Sequence, residues 1–508
     1  MPPLPPRDHE DDEERQPLLG PHDGDVDSAS SSQHSQETHR IQFGVDDEEN
    51  PKAWNGRKKL LNVGIISLMA VLSPLASSMF TPGISQIAKD LDTSEQSVIA
   101  TTTGFVITLG LGPLVWAPLS EDFGRRALYI FCFAVFTLLQ AASALSPNIQ
   151  TLIAMRTVSG FFGSVGIANG GGTISDMYDP SERAGIFGWY LLGPLLGPTL
   201  GPLFGGVIVS RLGWRWIYWV VSLQILTIVC AINTAIGYFF LKETYAPVLL
   251  GRRKADLAQQ DSQGLGKKTK YYFDGEDERP LSQKLQESMK RPFVIFVQPM
   301  VLIMSMYQAL IFGTTYSIYT NMQSIYSQPP YSFSSEQIGL LYLGPGLGFL
   351  TSVRFLVPRI DTVFNRLTEK HGGKPLPEYR LPLANIGSVL IPVSLFWFAW
   401  TVQFRAHWLA SIAATYFYGV GQVVVFNAVQ NYYIDSFSTY AASAIAGGSV
   451  FRSLVGGIVP LFAPLLFEKL GYGWGISCFG FLAVMIAPSP LLFYYFGGRV
   501  REKFQITF

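Results

Sequence analysis

The sequence alternates between apolar runs of about twenty residues and shorter polar stretches. A helix of about twenty apolar residues is long enough to cross the hydrocarbon core of a bilayer, so each run predicts a membrane-spanning helix. We place twelve spans, near residues 60–82, 97–118, 127–146, 150–172, 185–209, 216–240, 293–319, 337–357, 382–402, 407–430, 440–466 and 474–497. The pattern therefore predicts an all-α membrane protein.

The polar stretches divide these runs into two sets of six. The predicted parts are a disordered cytosolic tail, a six-helix half, a cytosolic central loop, a second six-helix half and a cytosolic C-terminal tail, at residues 1–55, 56–241, 242–291, 292–498 and 499–508. The first part is polar and low in aliphatic residues, so it cannot bury enough apolar surface to fold alone. Spans 2, 5, 8 and 11 are rich in small residues, and this three-helix rhythm favours nested repeats of the kind found in rocking transporters.

Composition narrows the class of protein. Hydrophobic residues make up 48% of the chain and charged residues 15%, whereas soluble proteins carry roughly 25% charged residues. The net charge of zero gives no electrostatic support for a nucleic-acid partner. The three cysteines lie far apart in apolar runs, without the spacing of a metal site or a disulfide. We expect neither a metal nor a cofactor.

Lysine and arginine are distributed unevenly between the loops on the two sides of the membrane. The side that holds the termini collects most of them, beginning with Arg57, Lys58 and Lys59. Loops rich in Lys and Arg stay in the cytosol, so both termini are predicted to be cytosolic. We expect a multi-pass monomer embedded in the lipid bilayer of the plasma membrane, with the vacuolar membrane as the alternative.

Span 5 contains the stretch Gly193–Gly206, in which glycine and proline each recur every fourth residue. A step of four keeps each set on one slowly drifting face of a helix. In water such a helix would fail, because Gly costs about 1 kcal/mol and Pro about 3 kcal/mol per interior position. In a bilayer the helix is retained, and its glycine face lets a second helix approach closely. The stretch predicts either a fixed, kinked packing helix or a helix at an interface that moves.

Two arginines stand in the middle of predicted spans, Arg156 in span 4 and Arg452 in span 11. An arginine at the bilayer centre costs at least about 3 kcal/mol on insertion scales, so each should face the protein interior or a water-filled cavity. No Asp, Glu or His lies in the middle of any predicted span. The nearest carboxylates, such as Asp176, stand at predicted cytosolic ends. The sequence therefore supplies no evident proton carrier within the membrane.

The loop between spans 2 and 3 carries a carboxylate followed by two arginines. Charges of opposite sign at helix ends can form a latch that holds the spans in one orientation and releases them in another. We assign this latch to Glu121, Gly124, Arg125 and Arg126. The alternative is a solvated cytosolic turn that obeys the bias of positive charge toward the cytosol.

Together these motifs resemble those of the major facilitator superfamily, and within it the fungal twelve-span family of drug:proton antiporters. Gly124, Arg125 and Arg126 are similar to the superfamily's loop between spans 2 and 3. Span 5 matches the antiporter motif at six positions, Gly197, Pro198, Gly201, Pro202, Gly205 and Gly206. The resemblance covers about residues 50–500 and implies efflux of small organic molecules coupled to proton entry. It also implies that Arg156 serves proton coupling or substrate orientation; a structural hydrogen-bond donor is the alternative. A carboxylate from a helix end drawn into the cavity, or coupling through Asp176 beside the Arg156 helix, would supply the proton carrier that the spans lack.

The spans expected to line a substrate cavity carry aromatic, hydroxyl and amide side chains. The candidates from spans 1, 7 and 10 are Ser77, Phe80, Tyr307, Gln308, Tyr316, Tyr416, Gln422, Asn427 and Gln430. Aromatic walls with a few amides suit a largely hydrophobic, neutral or weakly polar ligand. Packing between helices or at the membrane interface is the alternative explanation for these residues.

The sequence therefore predicts a secondary active transporter that exports a small hydrophobic compound by proton antiport and alternating access. Its expected partners are this small-molecule substrate, protons and the bilayer. Uptake of a small nutrient is the alternative within the same fold, and the antiporter-type span 5 argues against it. An integral-membrane enzyme would need a reactive constellation near a membrane face, yet four of the six histidines lie in the N-terminal tail.

Overall fold

The computed structural model describes residues 38–44, 47–178, 180–212, 226–263, 270–273, 279–437 and 441–504. Across these residues the chain is helical apart from short connections and two three-residue strands. The helices of the first half are α1 Gly56–Ser78, α2 Ile84–Asp90, α3 Glu95–Leu111, α4 Pro113–Phe123, α5 Arg125–Ala144, α6 Ile149–Gly163, α7 Val165–Met177, α8 Pro180–Leu212 and α9 Leu226–Phe240.

The second half begins after two helices of the central segment, α10 Ala246–Gln263 and α11 Leu281–Phe296. Its helices are α12 Pro299–Tyr326, α13 Ser335–Leu341, α14 Leu343–Thr351, α15 Val357–Lys370, α16 Ala384–Gln403, α17 Trp408–Ser436, α18 Ala441–Ile486 and α19 Ser489–Lys503. A single π-helical turn, Ser352–Leu356, joins α14 to α15.

Nine described helical segments are long and apolar enough to cross a membrane, and the bent pair α3 and α4 makes a tenth. One of the nine, Ser443–Lys503, contains two predicted spans, and the chain leaves helical geometry between them at Gly471 (φ 73°, ψ 167°). The described part of predicted span 6 is α9, with 15 residues; residues 213–225 lie outside the described ranges. The architecture is the all-α, twelve-span fold that the apolar runs predict.

Side-chain caps mark where several helices begin. The Asn148 side chain accepts a hydrogen bond from the backbone N–H of Thr151 at 2.8 Å, at the start of α6. Ser334 and Gln337 form a reciprocal capping box at the start of α13. Such caps satisfy backbone N–H groups that have no partner within the helix. Gly124, with φ +91°, allows the reversal between α4 and α5.

Each half has its own apolar core. One cluster of buried side chains joins the helices of the first half, from Trp54 before α1 to Leu241 just after α9, and it also includes Tyr316 of α12. A second cluster joins those of the second half, from Ile295 to Phe493. Each half therefore has a core of its own, and Tyr316 connects the second half to the core of the first.

A small unit outside the spans connects the N-terminal segment to the central segment. Strands β1 Thr38–Arg40 and β2 Lys270–Tyr272 pair in parallel, and Arg253 in α10 donates a 2.6 Å hydrogen bond to Asp47. An apolar cluster of three buried side chains lies beneath them: Ile41, Leu250 and Phe273. Residues 1–37 of the predicted tail lie outside the described residues, so its disorder stays a prediction.

Candidate functional site

Arg156 lies where α1, α3 and α6 meet, and its side chain is fully buried. Its guanidinium carbon stands 5.1 Å from the ring centre of Phe80 and 4.4 Å from that of Phe105. Its Nη2 donates to the backbone carbonyl of Ser77 at 3.4 Å. Aromatic faces within about 6 Å attract a cation. The buried charge is therefore held by π faces and by a carbonyl at the end of α1.

Ser77 also connects the two halves. Its hydroxyl lies 3.1 Å from the hydroxyl of Tyr316 in α12, and both side chains are buried. The Tyr316 ring stands 5.1 Å from the ring of Phe312, one helical turn earlier. A continuous set of contacts thus runs from Arg156 through Ser77 into the second half.

Arg452, the other mid-membrane arginine, lies at the far end of these contacts. Its guanidinium carbon is 5.0 Å from the ring centre of Phe312 and 5.2 Å from that of Phe426 in α17. Its Nη2 donates to Ser449 at 3.3 Å. One arginine from each half is therefore connected to Phe312 and Tyr316, Arg452 directly and Arg156 through Ser77, and each lies against two aromatic rings.

Some of the remaining residues predicted to line the cavity lie near Phe312 and Tyr316, and others lie elsewhere in the second half. Gln422 is buried and its amide oxygen accepts a hydrogen bond from Thr315 at 3.3 Å; Gln308 is buried on the helix face of Phe312 and Tyr316. Tyr307 belongs to the apolar core of the second half. Three half-buried candidates on α17 complete the set: Tyr416, Asn427 and Gln430.

The glycine–proline helix α8 packs within its own half. A Cβ at Gly197 would stand 2.8 Å from Pro74 Cβ, and a Cβ at Gly201 would stand 2.7 Å from the carbonyl of Leu75. Gly193 and Gly205 likewise face Val71 and Met79. The helix that approaches the glycine face is therefore α1. These four glycines therefore face a helix of their own half, and a moving contact between the halves stays a prediction.

The glycine–proline helix touches the second half at its end and at Thr199, which lies 3.4 Å from the position of a Cβ at Gly346 in α14. A Cβ at Gly206 would meet the backbone of Ser335, and one at Gly339 would stand 2.8 Å from the carbonyl of Pro202. The glycine run of α14 packs mainly against α17, since Gly344 faces Ile412 and Thr415. Sequence showed two small-residue faces, but it did not show which helix each one faces.

The halves close on each other at the distal side, which we define as the side opposite the chain termini. The hydroxyl of Thr103 in α3 donates to the carbonyl of Gly457 in α18 at 2.7 Å. Glu336 at the start of α13 accepts hydrogen bonds from Ser210 at 2.9 Å and from Arg211 at 2.8 Å. These contacts join α3 to α18 and α8 to α13, so the site lies beneath a distal seal.

On the termini side, three residues of the predicted latch, Gly124, Arg125 and Arg126, lie in a compact charged cluster. Arg125 lies 3.4 Å from Asp176 at the end of α7. Glu243, just after α9, accepts hydrogen bonds from the backbone N–H groups of Arg125 at 2.9 Å and Arg126 at 3.2 Å. A Cβ at Gly124 would collide with the Glu243 carboxylate. The cluster ties the loop after α4 to the ends of α7 and α9.

The fourth residue predicted for the latch, Glu121, is exposed. The adjacent Asp122 instead pairs with Lys284 of α11 at 2.7 Å. This pair links the first half to the central segment. The ring of Tyr245 lies 4.7 Å from the Arg125 guanidinium, and burial raises the pKa of its phenol to about 12, so it stays neutral.

Several site residues were not selected from the sequence. Phe105, Phe312 and Phe426 are ordinary apolar residues of their spans, and only their distance from an arginine marks them. Glu243, three residues after α9, likewise had no predicted role. A search of the spans for aromatic residues one turn from each chosen polar residue would have found Phe312, four positions after Gln308. Within the described part of the chain, no group of His, Cys, Asp and Glu could hold a metal ion.

Comparison with known proteins finds similarity over most of the chain. The family model described as Major Facilitator Superfamily matches residues 66–460. The efflux pump radE of Floropilus chiversii is 38% identical over 91% of this chain and 85% of its own. The MFS-type transporter penM of Penicillium rubens is 36% identical over 92% and 90%. The MFS-type efflux pump MFS2 of Trichophyton rubrum is 35% identical over 91% and 76%.

Solved structures share the fold at low sequence identity. A bacterial homologue of the human lysosomal transporter Spinster, in an inward-facing and unoccupied conformation, has a TM-score of 0.57 and 14% identity, over 89% of this chain and 99% of its own. The proton:xylose symporter XylE has a TM-score of 0.58 and 14% identity, over 87% and 96%. At this identity the likeness shows the fold alone.

Proposed function

Because the chain belongs to the Major Facilitator Superfamily, we propose that it exports a small, largely hydrophobic organic compound, such as a drug, toxin or secondary metabolite, by alternating access. Membership in this superfamily of transporters excludes the integral-membrane enzyme. The observation that carries the direction of transport is α8, which holds the six glycines and prolines of the antiporter-type motif in one helix against α1. The names of two relatives, both efflux pumps, support the same direction.

The arrangement of contacts supports alternating access. Each half has a core of its own, and the halves meet at the distal side through contacts such as the hydrogen bond of Thr103 with Gly457. Opening toward the distal side requires these contacts to break while most of each core stays intact. With cytosolic termini and a plasma-membrane location, the distal side is the exterior, and the seal prevents the compound from re-entering.

For proton antiport, we assign Asp176 as the group that binds and releases the proton. It is the carboxylate at the end of the two-part span that carries Arg156, and it lies against Arg125 and accepts a hydrogen bond from Thr244 at 3.2 Å. An adjacent arginine favours the ionised carboxylate, and its withdrawal favours protonation. Movement of the loop after α4 thus couples the charge state of Asp176 to the orientation of the halves.

Transport by inside-out vesicles tests the proposal. A fluorescent hydrophobic test compound should accumulate in the vesicles, and an imposed acid interior should accelerate accumulation. Arg156→Ala and the less disruptive Arg156→Met should abolish transport at unchanged abundance, while Arg354→Ala, at an exposed arginine, serves as the control. Transport that ignores the pH gradient removes the antiport mechanism. Transport only out of the vesicles would favour uptake, the alternative within the same fold.

A further inference from the structure

The two mid-membrane arginines point toward one substrate chemistry. Arg156 and Arg452 reach the same aromatic pair from opposite halves, through Ser77 on one side and directly against Phe312 on the other. We propose that Arg156 and Arg452 together bind the acidic group of an organic anion whose flat, apolar body stacks on Phe312 and Tyr316. The inference rests on the proposed function, since the anion is the exported compound.

The sign of the charges inside the spans is the first argument for an anionic substrate. No Asp, Glu or His stands in the middle of any of the twelve apolar runs, whereas two arginines do. Charges taken out of water are costly unless an opposite charge and hydrogen bonds compensate them. A bound carboxylate supplies both, and a bound ammonium group adds a third positive charge. The site therefore selects anions over cations.

Hydrogen-bonding capacity points the same way. Among the described residues, Nε of Arg452 and the amide nitrogen of Gln308 are buried without a hydrogen-bond partner. Both are donors, and an ionised carboxylate is purely an acceptor with about four lone-pair sites. Gln308, Phe312 and Tyr316 follow one another at intervals of four along α12, so they share one helix face. That face offers a donor, an apolar ring and a hydroxyl in sequence.

An anionic substrate also changes the energetic description. A compound that leaves a negatively charged cell interior as an anion moves in the direction that the membrane potential favours, and entry of a proton moves charge in the same sense. Export then does not depend on a titratable group next to the substrate. The inference thereby replaces the expected neutral or weakly polar ligand with an acid that has an aromatic or similarly flat body.

A matched set of ligands tests the charge preference. Binding of 1-pyrenebutyrate, its amide and 1-pyrenebutylamine is measured by pyrene fluorescence with the full-length protein in lipid nanodiscs, and empty nanodiscs correct for partitioning. We expect the carboxylate to bind about tenfold to a hundredfold more tightly than the amide, because hydrogen bonds to a charged group contribute that much. The amine should bind most weakly.

Substitutions of the two arginines test whether they cause the preference for the carboxylate. Arg452→Gln should reduce carboxylate affinity to that of the amide and leave amide affinity unchanged, whereas Arg452→Lys should keep part of the preference. Arg499→Gln, at an exposed arginine in α19, should bind all three compounds as the wild type does. Equal affinity of the wild type for the three compounds overturns the inference, as does a carboxylate preference that survives Arg452→Gln and Arg156→Met.

Transport of the same compounds by inside-out vesicles separates the two proposals. Accumulation of the amide as fast as the carboxylate, with no difference in affinity, keeps the exporter and overturns the anion site. Selective binding of the carboxylate without movement of any of the three supports the anion site and counts against export. Selective binding together with faster carboxylate accumulation supports both.

Discussion

Replacing Gly201 by alanine places a methyl group against the backbone of α1. The added Cβ would stand 2.7 Å from the carbonyl oxygen of Leu75 and 3.0 Å from the backbone nitrogen of Met79. Real Cβ atoms essentially never come within 3.0 Å of such atoms, and backbone yields less easily than the tip of a flexible side chain. The two helices must therefore separate at this point.

The expected change in stability for Gly201→Ala follows from two opposing effects. Overpacking by a methyl group costs about 1–3 kcal/mol, while replacing a helical glycine by alanine recovers about 0.5–1 kcal/mol. The net expectation for Gly201→Ala is a loss of about 1–2 kcal/mol of stability. Gly64→Ala in α1 is the matched control, because a Cβ there would meet no atom within 4 Å. That variant should be neutral or slightly stabilised.

Thermal unfolding of the purified protein in detergent measures both variants, with the fraction that remains monodisperse after heating as the readout. Gly201→Ala should lower the midpoint temperature, and Gly64→Ala should not. A midpoint for Gly201→Ala equal to that of Gly64→Ala would refute the close approach of α8 and α1. Transport activity, corrected for surviving protein, shows in addition whether displacement of α1 disturbs the site.

Three further predictions concern polar contacts. Glu243→Ala should lower the midpoint temperature by removing an acceptor of charge-assisted bonds worth about 1.5–3 kcal/mol each. Ser77→Ala and Tyr316→Phe should be non-additive in a double-mutant cycle of midpoint temperatures, since each removes the same 3.1 Å contact. The Arg253 guanidinium holds the pKa of Asp47 below its usual value. This pair should stabilise β1 above the usual Asp pKa and lose that effect as the pH falls through the lowered one; hydrogen exchange of residues 38–44, compared with Asp47→Asn at each pH, measures the difference.

The spans could be predicted because a bilayer imposes one length and one composition on every helix that crosses it. The same constraint explains the buried position of Arg156, since an arginine in the middle of a span must turn inward. The short connection between predicted spans 11 and 12 could not be foreseen, because a single residue of positive φ, Gly471, separates the two helices where a polar loop was expected.

The sequence could not show which distant residue or helix each site residue contacts. The latch residues were chosen by their position in one loop, but the acceptor of the Arg125 and Arg126 backbone N–H groups is Glu243, about 120 residues away along the chain. Likewise, a glycine face announces a close neighbour without naming it, because any helix backbone fits against it. Such long-range pairings depend on the packing of all the spans together.

The packing of α8 on α1 connects the glycine–proline motif to the site by a route that the motif alone does not suggest. Gly201 and Gly205 face Ser78 and Met79, which directly follow Ser77, the residue that contacts both Arg156 and Tyr316. Glycine at these positions therefore fixes how far the end of α1 extends toward the second half. The motif that is associated with the direction of transport would then act by positioning Ser77, which joins the buried Arg156 to the opposite half. A bulky residue in the motif should therefore weaken substrate selectivity as well as stability.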